Sequence, residues 1–125
     1  MHIEDVTGLV KGGAYSQVVR VGSIVSLAGQ TGLDPRTGKL LEGLEGQIRQ
    51  SIANLEVVLR SIDLDLGDLV KTTCYLSDID RFAEFDSVYR ELVPAPWPTR
   101  ATVGVNLAGD LQFEIDAWAA APDKD

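Results

Sequence analysis

The sequence predicts an α+β fold in which five strands form one mixed sheet that carries two helices on one face. Two segments place apolar residues at intervals of three or four, which is typical of amphipathic helices. Five shorter segments are rich in strand-forming residues or alternate apolar and polar residues, as half-buried strands do. The chain has 125 residues, 45% of them hydrophobic, so we expect a single domain over residues 1–125.

The first structured region predicts a hairpin. Residues 16–21 and 24–28 are two strand-forming runs, separated by the turn-forming pair Gly22 and Ser23. Residues 29–38 contain an Asp-Pro pair and three glycines, which favour turns. We therefore expect the strand to end at residue 28 and a loop to follow it.

Two amphipathic segments predict the helices. The first covers residues 44–62, with a polar opposite face. In the second, we expect Asp80 to cap the N-terminus and the proline-rich residues 94–98 to end the helix. The apolar positions are Leu44, Ile48, Ile52, Leu55, Leu59 and Ile62 in the first helix, and Phe82, Phe85, Val88, Tyr89 and Leu92 in the second.

Three further strands complete a ββαβαββ order. They are predicted at residues 69–76, 100–105 and 111–119. In the first of these, alternation puts Val70, Thr72, Cys74 and Leu76 on one side. Because both helices pack on one face, the other face of the sheet stays open, and an open apolar face favours a homo-oligomer.

Composition excludes several classes of function. One His and one Cys are too few for a zinc site, a His-based triad or a disulfide framework. The net charge of −8 disfavours a nucleic-acid partner, which needs clustered Lys and Arg. The N-terminal residues resemble no signal peptide, and no stretch is long and apolar enough to span a membrane. We expect a cytoplasmic protein without a membrane partner.

Two strand segments contain the residues best suited to chemistry. Arg100 shares a strand face with Thr102, and its planar guanidinium suits a carboxylate ligand. Glu114 and Asp116 share a face of the last strand, where a carboxylate could transfer protons to and from a polar substrate. The alternatives are an ordinary surface ion pair for Arg100 and a solvated strand face for the two acids.

Two other reactive residue types are expected to take no part in chemistry. Cys74 lies inside a predicted strand without a His to activate it, so we expect a buried structural thiol. His2 lies at a terminus that we expect to fray.

Motifs along nearly the whole chain resemble the Rid family, also called YjgF or reactive intermediate deaminase. They are YSQ at 15–17, AGQ at 28–30, LDP at 33–35, QIRQS at 47–51, DLVKTT at 68–73, YLSD at 75–78, PTRATV at 98–103 and EIDA at 114–117. The resemblance implies a chorismate-mutase-like fold and a homotrimer. In that trimer the sheets form a central barrel and three sites lie in the clefts between subunits.

The resemblance also implies an activity and its residues. The expected reaction is hydrolysis of reactive 2-imino acids, such as 2-iminopropanoate, to a 2-keto acid and ammonia, without a metal or organic cofactor. By resemblance, Arg100 binds the substrate carboxylate and Glu114 positions or activates the attacking water. Tyr15 and Gly29 line the site, while Gln17 and Gln30 match recurrent family positions.

The sequence departs from the family pattern at three places. Thr102 stands where many members have Cys, Asp86 where many have Asn, and Ala14 where Pro is usual. We expect Thr102 and Asp86 to contact the substrate, so these changes, together with the large Trp97 and Trp118, can alter which substrate fits.

Three other functions stay open at this point. One is a pathway-specific deaminase that acts on a larger unsaturated, aminomuconate-like amino acid. Another is a non-enzymatic trimer that binds metabolites or acts as a chaperone. A ribonuclease activity is also attached to the family, but it fits poorly with the acidic charge and the lack of a suitable His.

Overall fold

A computed structural model describes residues 2–4 and 12–122, which form one six-stranded sheet and two α-helices. The strands are β1 (His2–Glu4), β2 (Val18–Val21), β3 (Ile24–Thr31), β4 (Leu69–Leu76), β5 (Thr99–Gly104) and β6 (Phe113–Ala120). The helices are α1 (Leu44–Arg60) and α2 (Phe82–Leu92), and short 3₁₀ turns cover Leu66–Asp68 and Ile79–Arg81. No helix among these described residues is long and apolar enough to cross a membrane.

The sheet has the order β1-β2-β3-β6-β4-β5. All neighbouring strands are antiparallel except β4 and β5, which run parallel and are connected through α2. This arrangement confirms the predicted α+β class and the ββαβαββ order. It adds β1, which pairs with β2 and which the sequence analysis missed, because three residues are too few for a recognisable period. The terminus at His2 is therefore paired in the sheet, contrary to the expected fraying.

The predicted end of β3 at residue 28 was wrong. The strand continues to Thr31, and the register with β6 shifts between Leu27 and Gln30. A bulge of this kind accommodates Ala28 and Gly29 while pairing continues on both sides of it. The loop expected from residue 29 therefore begins only after Thr31.

A second register shift affects the start of β4. It lies between Leu69 and Lys71, opposite β6. As a result Leu69 is buried and Val70 is exposed, whereas strict alternation from Thr72 had placed Val70 on the buried side. Beyond the shift, Thr72, Cys74 and Leu76 are buried together as predicted.

The start of α2 also differs from the prediction. Asp80 does not cap the helix. Instead Asp78 accepts a hydrogen bond from the backbone N–H of Asp80 and caps the preceding 3₁₀ turn, and α2 begins at Phe82. The 3₁₀ turn Ile79–Arg81 comes directly before α2, so the capping Asp lies ahead of this turn and not directly ahead of the helix. The predicted end of the helix before the proline-rich segment is confirmed.

The core lies between the helices and one face of the sheet. α1 packs on β3 and β6, and α2 packs on α1. Phe85 of α2 stacks at 5.5 Å on Phe113 of β6, measured between ring centroids. The hydroxyls of Thr72 and Tyr89 form a buried hydrogen bond of 2.9 Å, which satisfies both groups inside this apolar layer.

The opposite face of the sheet carries no described helix. Trp118 and Val103 are 51% and 40% exposed there, and Ile24 is also exposed. Tyr75 and Asp116 form a hydrogen bond of 2.7 Å on this face. The chain thus leaves a mixed apolar and polar face open, as the sequence analysis expected.

Two glycine substitutions are predicted to change stability in opposite directions. A Cβ at Gly32 would lie 2.6 Å from the Cα of Gln47 in α1, so Gly32→Ala must push the helix away from the loop. We expect a loss of about 1–3 kcal/mol in the free energy of unfolding, measured by urea denaturation. At Gly46, within α1, a Cβ would lie 3.6 Å from the Cβ of Leu41, which is an ordinary contact, so Gly46→Ala should instead gain about 0.5 kcal/mol. Equal effects of the two variants would contradict this packing.

Candidate functional site

One cavity, the Glu114 cavity, opens beside β3 and β6 and has a volume of about 660 Å³. Its walls include Tyr15, Gly29, Gln30 and Glu114. Three of these, Tyr15, Gly29 and Glu114, are residues that the sequence analysis placed in one site. The structure therefore brings this part of the predicted site together.

Gly29 makes room for the carboxyl group of Glu114. A Cβ at Gly29 would lie only 3.1 Å from the Glu114 Cδ atom, closer than a comfortable contact. The bulge in β3 places Gly29 at this point, so the missing side chain opens space directly beside the carboxylate.

The environment of Glu114 favours its protonated form. Burial raises the pKa of the Glu114 carboxyl, and the negative charge of Asp116, which shares its strand face, raises it further. No described residue donates a hydrogen bond to the Glu114 carboxylate that would oppose this shift. A raised pKa suits a carboxyl that must both take up and release a proton.

Asn54 supports the rim of the Glu114 cavity, a role that was not predicted from the sequence. Its side-chain amide donates hydrogen bonds of 3.0 and 2.9 Å to the carbonyl oxygens of Thr31 and Leu33. These bonds attach the loop after β3 to α1. Gln47 and Ser51 are also buried on α1, so the period of apolar residues in the sequence did not show which polar side chains of this helix face the interior.

A second cavity, the Arg100 cavity, lies at the edge of the sheet between α2 and β5. It has a volume of about 350 Å³. Its lining residues are Phe82, Asp86, Tyr89, Arg90, Trp97, Pro98 and Arg100. Arg100 and Asp86, both predicted site residues, therefore lie together here.

Three aromatic rings hold the guanidinium of Arg100. Its central carbon lies 5.4 Å from the ring centroid of Phe82, 5.1 Å from that of Phe85 and 4.8 Å from that of Tyr89. Cation–π attraction to these faces fixes the guanidinium without using its N–H donors. The apolar spacing of α2 predicted that these three rings point inward, but not that they pack around a charge.

Asp86 is the hydrogen-bond acceptor for Arg100 within the described residues. Arg100 Nη1 donates to Asp86 Oδ1 at 2.8 Å, and Arg90 Nη2 donates to Asp86 Oδ2 at 3.1 Å. The bond from Arg100 lowers the pKa of Asp86, and the bond from Arg90 adds to this. Asp86 is therefore an anion held between two cations. Arg90 was missed, although its i,i+4 spacing from Asp86 was visible in the sequence.

Thr102 lies apart from both cavities. It shares the face of Arg100, as predicted, and pairs with Cys74 across β4 and β5. It does not line either cavity, so a substrate contact for it is not seen within this chain. Its Oγ1 is buried and has no hydrogen-bond partner among the described residues.

Cys74 is fully buried, and burial raises the pKa of its thiol to about 12. A thiol with this pKa stays protonated and is a poor nucleophile, which agrees with the structural role expected for it. Within residues 2–4 and 12–122, no group of three or more His, Cys, Asp and Glu side chains could hold a metal ion.

The two cavities lie on opposite sides of the sheet. Arg100 pairs with Thr72, whose side chain is buried against the helices. Glu114 instead pairs with Tyr75, whose side chain lies on the open face. One copy of the chain therefore presents the predicted cation and the predicted carboxylate in two separate places.

The fold and these cavities define a small α+β protein whose polar groups line two openings of ligand size. The family model described as Endoribonuclease L-PSP matches residues 9–121. The chain belongs to this family, which is the Rid or YjgF family.

Two relatives match this chain over most of the length of each protein. The chain is 37% identical over 111 residues to a 2-iminobutanoate/2-iminopropanoate deaminase of Salmonella typhimurium, covering 86% of this chain and 87% of that protein. It is also 37% identical over 109 residues to a RutC family protein of Pyrococcus horikoshii, covering 86% of each chain.

Solved structures agree with the fold. The RidA of the Antarctic bacterium Psychrobacter sp. superposes with a TM-score of 0.88 at 33% identity, over 94% of this chain and 97% of that one. E. coli TdcF with bound serine gives a TM-score of 0.87 at 32% identity, over 96% and 98% of the two chains.

The raised pKa of Glu114 predicts how Glu114→Gln changes stability with pH. The folded state binds the Glu114 proton more tightly than the unfolded state, where the pKa is near its ordinary value of 4.5. The contribution of Glu114 to the stability of the wild type is therefore fully present below that value and is lost as pH rises through the raised pKa of the folded state. We expect Glu114→Gln to have a higher Tm than wild type at about pH 7 and a similar Tm below about pH 4.

The exposed Glu42 provides the control, because Glu42→Gln makes the same change of charge away from any buried carboxyl. Its Tm difference from wild type should vary much less over this pH range. A Tm difference for Glu114→Gln that stays constant with pH would show that burial does not penalise the Glu114 charge.

Proposed function

We propose that this protein is an imine deaminase that hydrolyses reactive 2-imino acids, such as 2-iminopropanoate. Water adds to the imine carbon, the C–N bond breaks, and the products are a 2-keto acid and ammonia. The observation that carries the proposal is the half-buried Glu114 carboxyl, which has a raised pKa and lines a cavity that Gly29 leaves open.

Glu114 is suited to move the protons of this reaction. As water attacks the imine carbon, the Glu114 carboxylate takes a proton from the water. The protonated carboxyl gives this proton to the imine nitrogen, which forms a carbinolamine. Glu114 then takes the hydroxyl proton of the carbinolamine and passes it to the amino group, so that the C=O bond forms as the C–N bond breaks and ammonia leaves. The imine carbon is already electrophilic, so this mechanism calls for orientation and proton transfer and needs no metal or organic cofactor.

Arg100 is suited to bind the substrate carboxylate. Its guanidinium rests on three aromatic rings, and one of its donors is engaged by Asp86. The Nε and Nη2 donors have no acceptor among the described residues. Two N–H groups on one edge of a guanidinium match the two oxygens of a carboxylate.

The separation of Arg100 and Glu114 leads to a proposal about assembly. One small substrate cannot reach both residues within one chain, because they lie on opposite sides of the sheet. In a homo-oligomer, the Arg100 cavity of one copy can face the Glu114 cavity of the next. The proposed assembly is the homotrimer that the family resemblance implies, with one composite site at each of its three seams.

The relatives support the chemistry without defining the substrate. A relative named as a 2-iminobutanoate/2-iminopropanoate deaminase is 37% identical, and a TdcF structure of the same fold holds serine, a small amino acid. The small molecules in both names carry a carboxylate and, on the neighbouring carbon, a nitrogen, so both are consistent with a site for a short ligand of this kind.

A larger unsaturated imino acid is the second candidate substrate. Trp97 and Phe82 line the Arg100 cavity and are 51% and 39% exposed, so a flat apolar ligand could bury them. A panel of imines that increase in size separates this substrate from 2-iminopropanoate by kcat/KM. Binding without turnover of any imine would instead support a metabolite-binding or chaperone role.

Two substitutions test the proposed activity. A dehydratase generates 2-aminoacrylate, and semicarbazide traps the imine that forms from it. Wild-type protein should reduce semicarbazone formation by consuming the imine. Arg100→Ala should lose about 10²-fold or more in kcat/KM, and Glu114→Gln about 10²–10⁴-fold. Wild-type protein that leaves semicarbazone formation unchanged, or an Arg100→Ala variant as active as wild type, would refute the proposal.

Mixing the two inactive variants tests whether the site is composite. If Arg100 and Glu114 of different copies form each site, random co-assembly of the two variants in equal amounts restores about a quarter of the sites. The subunits are unfolded and refolded together, and the same variants refolded separately and then mixed are the control. No recovery after co-refolding would mean that both residues must come from one chain.

A further inference from the structure

Asp86 already engages one of the Arg100 donors and lies beside the donors that remain for a ligand carboxylate. Its Oδ1 accepts the Nη1 donor of Arg100 at 2.8 Å, and its other oxygen accepts from Arg90. The side chains of Arg100 and Asp86 are 22% and 27% exposed, so this ion pair lies at the surface of the cavity and is accessible to a ligand.

The ion pair reduces the attraction of the cavity for anions. Two arginines and one carboxylate leave a net charge of one positive unit, shared among three side chains. A ligand carboxylate must either displace Asp86 from Nη1 or bind the remaining donors close to another negative charge. Both routes cost more free energy than they would with an uncharged acceptor at position 86.

We propose that Asp86 is a specificity-determining residue, an internal counter-ion that competes with the ligand carboxylate for Arg100. This inference rests on the proposed function, because it takes the ligand to be a carboxylate. Asp86 acts through Arg100 and need not touch the reacting carbon. Its effect is to weaken binding of ligands that are held by their carboxylate alone.

The competition has two consequences for turnover. A ligand binds well only if other groups contribute, such as an apolar body packed on the exposed faces of Trp97 and Phe82. The keto acid product bears the same carboxylate as the substrate, so Asp86 also weakens product binding. Removing the charge should therefore lower KM and strengthen inhibition by product, while kcat changes less.

Asp86→Asn tests this inference, because it removes the charge but keeps the shape and an oxygen acceptor. Pyruvate is the charged probe and pyruvamide the uncharged probe, and binding to the assembled protein is measured by calorimetry. We expect Asp86→Asn to bind pyruvate about tenfold more tightly, with little change for pyruvamide. Glu84→Gln, which makes the same change of charge on α2 outside the cavity, should leave both affinities unchanged.

The direction of the change in pyruvate affinity distinguishes loss of competition by Asp86 from structural damage, because a disturbed cavity would bind pyruvate less tightly. Unchanged or weaker pyruvate binding in Asp86→Asn would overturn the inference, as would equal tightening for pyruvamide. Undetectable pyruvate binding in both proteins would also overturn it. If pyruvate binding tightens but neither protein hydrolyses an imine, the proposed function fails and the competition at Arg100 stands.

Discussion

The alternation of side chains along β6 is the constraint on which the rest of the molecule depends. This strand lies between β3 and β4, so its two faces are central to the sheet. Phe113, Ile115 and Ala117 are buried toward the helices, and Glu114 and Asp116 therefore point to the open face. A slip of one residue would bury two carboxylates and expose the aromatic contact with Phe85. The packing of the core thus determines where the reactive carboxyl lies.

Arg100, unlike the carboxylates of β6, is a charged residue on the apolar side of the sheet. Removing a guanidinium from water is costly unless other groups replace the lost hydration. Here the rings of Phe82, Phe85 and Tyr89 and the carboxylate of Asp86 together provide that compensation. The same groups set the electrostatic character of the cavity, so the stability of this edge and its affinity for ligands are coupled. A substitution that improves one can weaken the other.

The regular part of the fold was predictable because it is encoded in local periods. The apolar spacing in α1 and the alternation in β6 each follow from one element and its single buried face. The irregular parts were not predictable. The bulge at Gly29 arises from pairing with a strand more than eighty residues away, and it changes a predicted loop into part of β3.

The site was predictable in its residue types and only partly in its geometry. Tyr15, Gly29 and Glu114 were expected together and do line one cavity. That Arg100 lies on the other side of the sheet follows from its register opposite the buried Thr72 of β4, because alternation within β5 alone does not say which face meets the helices. The partners of Asp86 depend on how α2 packs over β5. Helix and strand propensities do not predict this tertiary packing.

The connectivity of the sheet gives the two cavities different folding requirements. The parallel pair β4 and β5, with α2 between them, lies within residues 69–104, so the surroundings of Arg100 assemble from one contiguous stretch of chain. The Glu114 cavity needs β3 to meet β6 across most of the chain's length, which closes a far longer loop. Contacts of low sequence separation form sooner. During synthesis the chain can therefore fold around Arg100 before β6, the strand that contains Glu114, has emerged.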